Sequence, residues 1–515
     1  MKRDMEPKQS PLFEPVLWEG GRFKILDETL LPWKVDYISV GELSQALQAV
    51  KEMKTRAFGQ VLTFLYSAAS VAKEYRMKDP KPLRERFQQL AEEFTEARPT
   101  FDFRGLASFL LEWFREPPSD EEVGAWAEKK IHGFVSSIRK ARSERAIRAA
   151  ELLPDPCRLL THCNISGELV AVAQSCEAMG KELQVIATET RPYLQGSRLT
   201  AWEAARAGVK VAVIPDCAIA QVMAKGEVDA VLVGADRSAQ NGDIINKVGT
   251  YPLALMAREF GIPFYALVQE PGPLATGEEV RIEERPVAEL LTFQGRSLIP
   301  DGQERIQGRY PAFDLTPASL ISCLVSFEGC HTPEQFRRKY QNRSPAEGKK
   351  SREKRKYLLL YGTPKADSYD YLAHALKAEK CDGLLVPEMR PQLWGAQRVT
   401  PELIRRDIPT TLISDNMMGT FFAQGEIERL YLFYAGLGAE GPVAISGSLL
   451  AALLARAHRV PIELLSSEET PPASLDRDVS TFLGERVISE GIAVHPIERE
   501  VVPWALFKEE RGDIS

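Results

Sequence analysis

Two side chains of this sequence stand where an α/β protein usually does chemistry, Cys163 and Asp236. Cys163 closes the run Leu159-Leu160-Thr161-His162, and Asp236 follows the apolar stretch Val228 to Val233 through Gly234-Ala235. A thiol can attack or wall off a pocket, and a carboxyl can hand a proton to an oxygen and take it back. Each has a plainer reading, the cysteine as a buried filler and the aspartate as a cap on the next segment. His162 is not the obvious base for Cys163, because adjacent strand residues point to opposite faces. Asn246 and Lys247 come after the turn Asn241-Gly242 and open the helical segment Tyr251 to Phe260. A lysine beside the free N–H groups of a helix start suits an anion such as phosphate, and its plainer reading is a solvated lysine.

Four short apolar runs must position these groups. They are Leu159 to Thr161, Gln184 to Ala187 opening into Glu189-Thr190-Arg191-Pro192, Val211 to Ile214 ahead of Pro215-Asp216, and Val228 to Val233. Each precedes a helix-length segment, the pattern of buried parallel strands alternating with helices, so the fold class is α/β. Ligands of such sheets bind beyond the carboxyl ends of the strands. Cys163, Glu189, Arg191, Asp216 and Asp236 are therefore expected to face one crevice.

Residues 1–150 read as a separate, mainly helical domain. A small β hairpin, Phe13 to Trp18 and Phe23 to Leu26, turns at Gly20-Gly21. Leu83, Phe87, Leu90 and Phe94 keep helical spacing, and Ser119 with Glu122 forms a capping box ahead of Val123. Pro154 and Pro156 end the helix and open an α/β domain over 151–333.

The 515 residues carry 44% hydrophobic and 27% charged residues and a net charge of −7, a soluble composition that argues against a general nucleic-acid binder. No apolar run approaches a membrane span, and the first residues lack the apolar core of a signal peptide. Seven cysteines without paired spacing suit reduced thiols, and a cytoplasmic location is expected. No spacing of metal ligands occurs.

Taken together, Thr161-His162-Cys163-Asn164, Glu189-Thr190-Arg191-Pro192-Tyr193-Leu194-Gln195-Gly196-Ser197 and Gly234-Ala235-Asp236-Arg237 with Asn246-Lys247-Val248-Gly249-Thr250 resemble the S-methyl-5-thioribose-1-phosphate isomerase family. The resemblance covers roughly residues 13–333 and extends to Arg98-Pro99-Thr100 and Pro311-Ala312-Phe313-Asp314. It implies a Rossmann-like catalytic domain and an aldose–ketose isomerase of methionine salvage acting on a small sugar phosphate, with no redox cofactor. It also implies Cys163 and Asp236 as the catalytic pair and Arg56, Ala57, Arg98, Gln195, Asn246 and Lys247 as substrate contacts. Asp236 would serve as the acid if burial raised its pKa. Relatives include regulatory subunits of translation initiation factor 2B, so a sensor that binds a sugar phosphate or nucleotide without turnover is the alternative. Two places depart from the family pattern, Thr55-Arg56-Ala57-Phe58-Gly59, where Phe58 would narrow the pocket, and Ile165-Ser166-Gly167-Glu168. They leave open a different 5-substituent, such as 5-deoxyribose 1-phosphate.

After a basic linker at 334–356, the α/β pattern returns. Glu388-Met389-Arg390-Pro391 restates Glu189-Thr190-Arg191-Pro192, Ile413-Ser414-Asp415 restates Ile214-Pro215-Asp216, and Gly447-Ser448 lies over Gly249-Thr250. The chemistry is not restated: Leu360-Tyr361-Gly362 stands for Thr161-His162-Cys163, Asp236 falls on Ala435 or Gly436, and Asn246-Lys247 on Ala444-Ile445. Residues 357–466 thus read as a degenerate copy, followed by an extension, 467–515, whose sequence carries little. Family members pair through their α/β domains, so the protein is expected to be a homodimer or an intramolecular pseudo-dimer in which the second copy packs against the first.

Overall fold

The structure, a computed structural model, describes residues 10–99, 101–117, 122–300, 306–341, 355–468, 476–496 and 499–507. Ser119 of the expected capping box and most of the basic linker lie outside the described residues. By their contacts the residues form two units, one of Met1–Glu151, Ile165–Gly180 and Arg206–Gly208, the other of Leu152–Asn164, Lys181–Ala205 and Val209–Ser515.

The first unit begins with the expected hairpin, Val16–Glu19 against Arg22–Leu26 with Trp18 opposite Phe23, and adds a third strand, Tyr37–Val40. Helices Leu43–Lys51, Phe58–Glu74, Pro80–Ala97, Phe103–Glu112 and Val123–Leu152 follow. Their inward stripes, including Leu83, Phe87, Leu90 and Phe94, bury one continuous apolar cluster. Helix Glu168–Ala178, which the sequence places in the α/β domain, belongs to this unit. The reason is electrostatic: Glu168 is buried and receives hydrogen bonds from both Arg142 and Arg145 of the long helix, at 2.9 and 2.6 Å. Burial works against the charged carboxylate, but the two guanidinium groups outweigh it and hold Glu168 below its usual pKa.

The second unit holds two similar sheets. In the first, the strands run in the order Lys210–Ile214, Leu183–Thr188, Cys157–Thr161, Ala230–Gly234, Phe264–Leu267, all parallel, with Cys323–Val325 and the antiparallel Cys330–His331 beyond. Sequence order therefore reverses between Cys157–Thr161 and Ala230–Gly234, and such a reversal opens a crevice at the strand ends. In the second sheet the same order recurs as Thr410–Ile413, Gly383–Pro387, Tyr357–Tyr361, Ile427–Leu437, Ile462–Ser466. One hydrophobic cluster runs through both sheets.

Each copy also lends the other an edge strand. Gln307–Gly308 of the first copy pairs in parallel with Thr411 and Leu412 of the second, and Ala493–Val494 pairs in parallel with Ala212 and Val213 of the first. Among the described residues after Ser467, the hairpin Thr481–Phe482/Glu485–Arg486 repeats Thr292–Phe293/Arg296–Ser297, and Phe482 meets Phe293 at 5.0 Å. No helix among the described residues is long and apolar enough to cross a membrane.

Candidate active site

Cys163 and Asp236 lie just beyond the ends of Cys157–Thr161 and Ala230–Gly234, the two strands that flank the reversal of strand order in the first sheet. Cys163 is buried and has left-handed backbone (φ 63°). Its N–H donates to Thr190 Oγ1 at 2.9 Å, and its carbonyl accepts from Thr200 Oγ1 at 2.6 Å. Such a φ is costly for a residue with a Cβ, and these two bonds hold it in place. His162 is 2% exposed, with Nδ1 2.7 Å from Thr188 Oγ1 and Nε2 2.9 Å from the Val248 carbonyl. Burial pushes its pKa down to about 4, so it is neutral.

Asp236 is exposed, its N–H bonded to the Ile245 carbonyl at 2.9 Å. The burial expected to raise its pKa is therefore not provided by the strand end on which it sits. Asn246 and Lys247 also differ from expectation. They lie on a strand, Ile244–Lys247, paired antiparallel with Phe313–Thr316, and not at the helix start. The helix begins only at Thr250, and its first amides are already taken: Asp314 Oδ2 accepts from Gly249 N at 2.7 Å and from Tyr251 N at 3.1 Å. Burial raises the Asp314 pKa to about 7, against the pull of these bonds. An anion at this site would be met by Lys247 itself and not by the helix end. Lys247 is 8% exposed, and its Nζ lies over the rings of Phe313, at 4.9 Å, and Tyr193, at 5.6 Å. No carboxylate among the described residues stands within ion-pair distance of it. Asn246 Nδ2 donates to Thr250 Oγ1 at 3.0 Å. Gln195 is buried, and its Oε1 has no hydrogen-bond partner among the described residues.

Three residues expected in the crevice are elsewhere. Glu189 and Arg191 are fully buried against the second copy, where Arg191 forks onto Glu388 at 2.8 and 2.9 Å and Arg390 onto Glu189 at 2.8 and 3.0 Å. Asp216 accepts from the N–H groups of Thr190 and Arg191 at 2.8 and 2.7 Å, bracing that loop. Burial, and then the nearby Glu189, raise its pKa to about 8. Sequence reading missed Phe482, whose ring lies 4.2 Å from the Arg191 guanidinium and 4.8 Å from that of Arg390. The shared Thr-Phe-x-Gly of Thr292 to Gly295 and Thr481 to Gly484 was the available signal.

In the N-terminal unit, Arg56 is half-buried, and its N–H donates to Glu28 Oε1 at 2.9 Å, beside the Thr55 hydroxyl at 2.8 Å. Ala57 is exposed with φ 41° at the start of helix Phe58–Glu74. Arg98 ends helix Pro80–Ala97. Phe58 lies face-on to Arg142, 3.9 Å from its guanidinium, which gives the ring a structural task in its own unit.

A sequence profile described as the Initiation factor 2 subunit family matches residues 60–333 and 350–466. The chain belongs to that family. Among its relatives, the methylthioribose-1-phosphate isomerase of Desulforudis audaxviator (strain MP104C) is 35% identical over 62% of this chain and 94% of its own length. The 5-deoxyribose 1-phosphate isomerase of Moorella thermoacetica is 36% identical over the same shares. Of solved structures, the 5-methylthioribose 1-phosphate isomerase from Pyrococcus horikoshii OT3 superposes with a TM-score of 0.56 at 31% identity, over 65% of this chain and 98% of its own. The delta subunit of translation initiation factor eIF-2B from A. fulgidus superposes with a TM-score of 0.54 at 32% identity, over 62% and 96%. Such isomerases are covered almost whole by under two thirds of this chain.

Proposed function

We propose that the first copy converts S-methyl-5-thioribose 1-phosphate, or a ribose 1-phosphate with a smaller 5-substituent, to the corresponding ribulose 1-phosphate. What carries the reading is Cys163 and Asp236 at the two strand ends that flank the reversal in strand order. In the reaction the C1–O4 bond breaks, O4 gains a proton, the hydrogen on C2 passes to C1, and the C2 hydroxyl gives up its proton. Phosphate on the anomeric oxygen blocks spontaneous ring opening, so a positioned acid is needed at O4. Asp236 takes that role, delivering one proton and recovering another, once bound substrate covers it and excludes water. Cys163 walls the reacting carbons from water. Lys247, with no carboxylate at ion-pair distance among the described residues, meets the phosphate, and Gln195 and Asn246 supply amide groups to the sugar hydroxyls. Arg56, Ala57 and Arg98 are assigned to the substrate on the family pattern. The sensor alternative is not favoured, since relatives at 35 and 36% identity are named isomerases.

Phosphorus NMR of purified protein with the sugar phosphate tests this directly. Wild type is expected to form the ketose phosphate, and Asp236→Asn and Cys163→Ala to lose roughly 10²- to 10⁴-fold in kcat. Full turnover in both variants would place the chemistry elsewhere. Binding of pentose 1-phosphates without turnover would make the protein a sensor.

A further inference from the structure

We propose that Asn416, a residue of the second copy, is a positioning residue for the first copy's site. Asn416 is 2% exposed, on the turn after strand Thr410–Ile413. Its Oδ1 accepts from Ser414 Oγ at 2.6 Å, which fixes the amide so that Nδ2 faces the other copy. There Nδ2 donates to the Arg191 carbonyl at 2.9 Å and to the Val248 carbonyl at 3.2 Å. Val248 directly follows Lys247, so the amide grips the segment that carries the cation. Contact is tight: a Cβ on the next residue, Gly249, would lie 2.9 Å from Asn416 Cβ and 2.7 Å from the His162 ring. Only glycine, here at φ 108°, fits between them.

The same carbonyl joins both halves of the site. A carbonyl only accepts, so the His162 Nε2 at 2.9 Å carries the proton, and Nδ1 must accept from Thr188 Oγ1 at 2.7 Å. Thr188 Oγ1 lies 3.2 Å from Thr190 Oγ1, which accepts from Cys163 N–H at 2.9 Å. A continuous chain of hydrogen bonds thus runs Cys163, Thr190, Thr188, His162, Val248, and it ends on Asn416. The mirror arrangement is weaker. Cys217 of the first copy stands opposite Asn416 and offers only a thiol, 3.5 Å from the Arg390 carbonyl and 3.8 Å from Ser446 Oγ. The strong donor belongs to the copy without chemistry and points at the copy that has it.

The proposal rests on the isomerase reading, and the test separates the two. Wild type, Asn416→Asp, which has no donor, and Asn416→Cys, which installs the residue the fold already accepts at the mirror position, are compared for kcat, KM, calorimetric affinity for S-methyl-5-thioribose 1-phosphate and thermal unfolding. Loss of a buried donor on Val248 is expected to raise KM and weaken binding by about tenfold in Asn416→Cys while the protein stays folded. KM and affinity within about twofold of wild type would overturn the proposal, as would a loss confined to kcat that tracks the unfolded fraction. If wild type binds the sugar phosphate without turning it over, the isomerase reading fails. The calorimetric comparison still decides the role of Asn416, equal affinities rejecting it and about tenfold weaker binding in Asn416→Cys supporting it.

Discussion

The two α/β copies keep the same frame and differ at the strand ends. Both have an arginine forked onto the other copy's glutamate, an aspartate (Asp216, Asp415) bracing the loop that carries that arginine, and a buried carboxylate (Asp314, Glu500) capping the helix after the fourth strand. What differs is bulk and polarity at the crevice. Strand pairing sets Leu159 opposite Ala230 in the first copy and Leu358 opposite Arg429 in the second, which aligns Gly234 with Phe433 and Asp236 with Ala435. Phe433, buried, stands where the first copy has Gly234, and glycine is required at 362, the position of Cys163, because a Cβ there would lie 2.6 Å from Phe433 Cβ. The strand Ile427–Leu437 continues, with a shift of pairing register between Tyr434 and Gly436, where the first copy's strand ends at Gly234 ahead of Asp236. Residues 467 and 468 close over the end, bonded to the carbonyls of Tyr434 and Thr363. The frame is shared, and the strand-end residues are exchanged: Phe433 stands at the position of Gly234, Gly362 at that of Cys163 and Ala435 at that of Asp236.

The largest test of that shared frame is the buried ion-pair set. Arg191→Met should cost about 3–5 kcal/mol in unfolding free energy, because Glu388, 0% exposed, is left charged and unpaired. Arg191→Met with Glu388→Leu should recover most of the loss, since apolar replacements of both partners remove the stranded charge. Urea midpoints measure both. A single-variant cost under about 1 kcal/mol would mean the copies do not depend on this contact.

His162 and Tyr361 offer a sharper comparison, as both donate to the carbonyl before a helix-starting glycine, Val248 and Ser446. Only the histidine titrates near neutral pH. Its folded pKa is depressed to about 4, so the folded state stays neutral while the unfolded chain gains a proton below about pH 6.5. Stability from this group is full above pH 6.5 and falls as pH drops toward 4, by about 3 kcal/mol in all. Asp216, Asp314 and Glu500, raised to about 8, 7 and 8, act with the opposite sign, losing stability as pH rises. They are common to wild type and His162→Gln, so they cancel in the difference between the two proteins. A pH-independent difference between 4 and 7 would show that His162 is not held neutral.

The strands and the repeat were legible because buried parallel strands write themselves as short apolar runs. Burial partners distant in sequence were not. Glu189 and Arg191 look like crevice residues until their partners, 201 and 197 residues away, are in view. The helix start near Lys247 looked open because its cap, Asp314, comes 65 residues after Gly249. Helix Glu168–Ala178 left its domain for two arginines on an earlier helix. The C-terminal stretch was opaque because its repeat consists of two-residue strands, too short to show a period.

The smallest effect separates stability from catalysis at a single pair of equivalent positions. Gly362→Cys places a side chain against Phe433, at a φ of 108° that disfavours any Cβ, and should destabilise by about 1–3 kcal/mol while leaving turnover within twofold of wild type. Cys163→Gly makes the reverse exchange. It relieves a left-handed φ of 63° at the loss of one small buried side chain, two terms of similar size and opposite sign, so stability should change by less than about 1 kcal/mol. On the proposed isomerase mechanism turnover should nonetheless collapse, because the thiol assigned to the reaction is gone. Thermal unfolding and product formation, measured on both variants, therefore should move in opposite patterns. If Gly362→Cys lowers turnover as much as Cys163→Gly does, the second crevice takes part in the reaction and the two copies are not divided into one that reacts and one that packs.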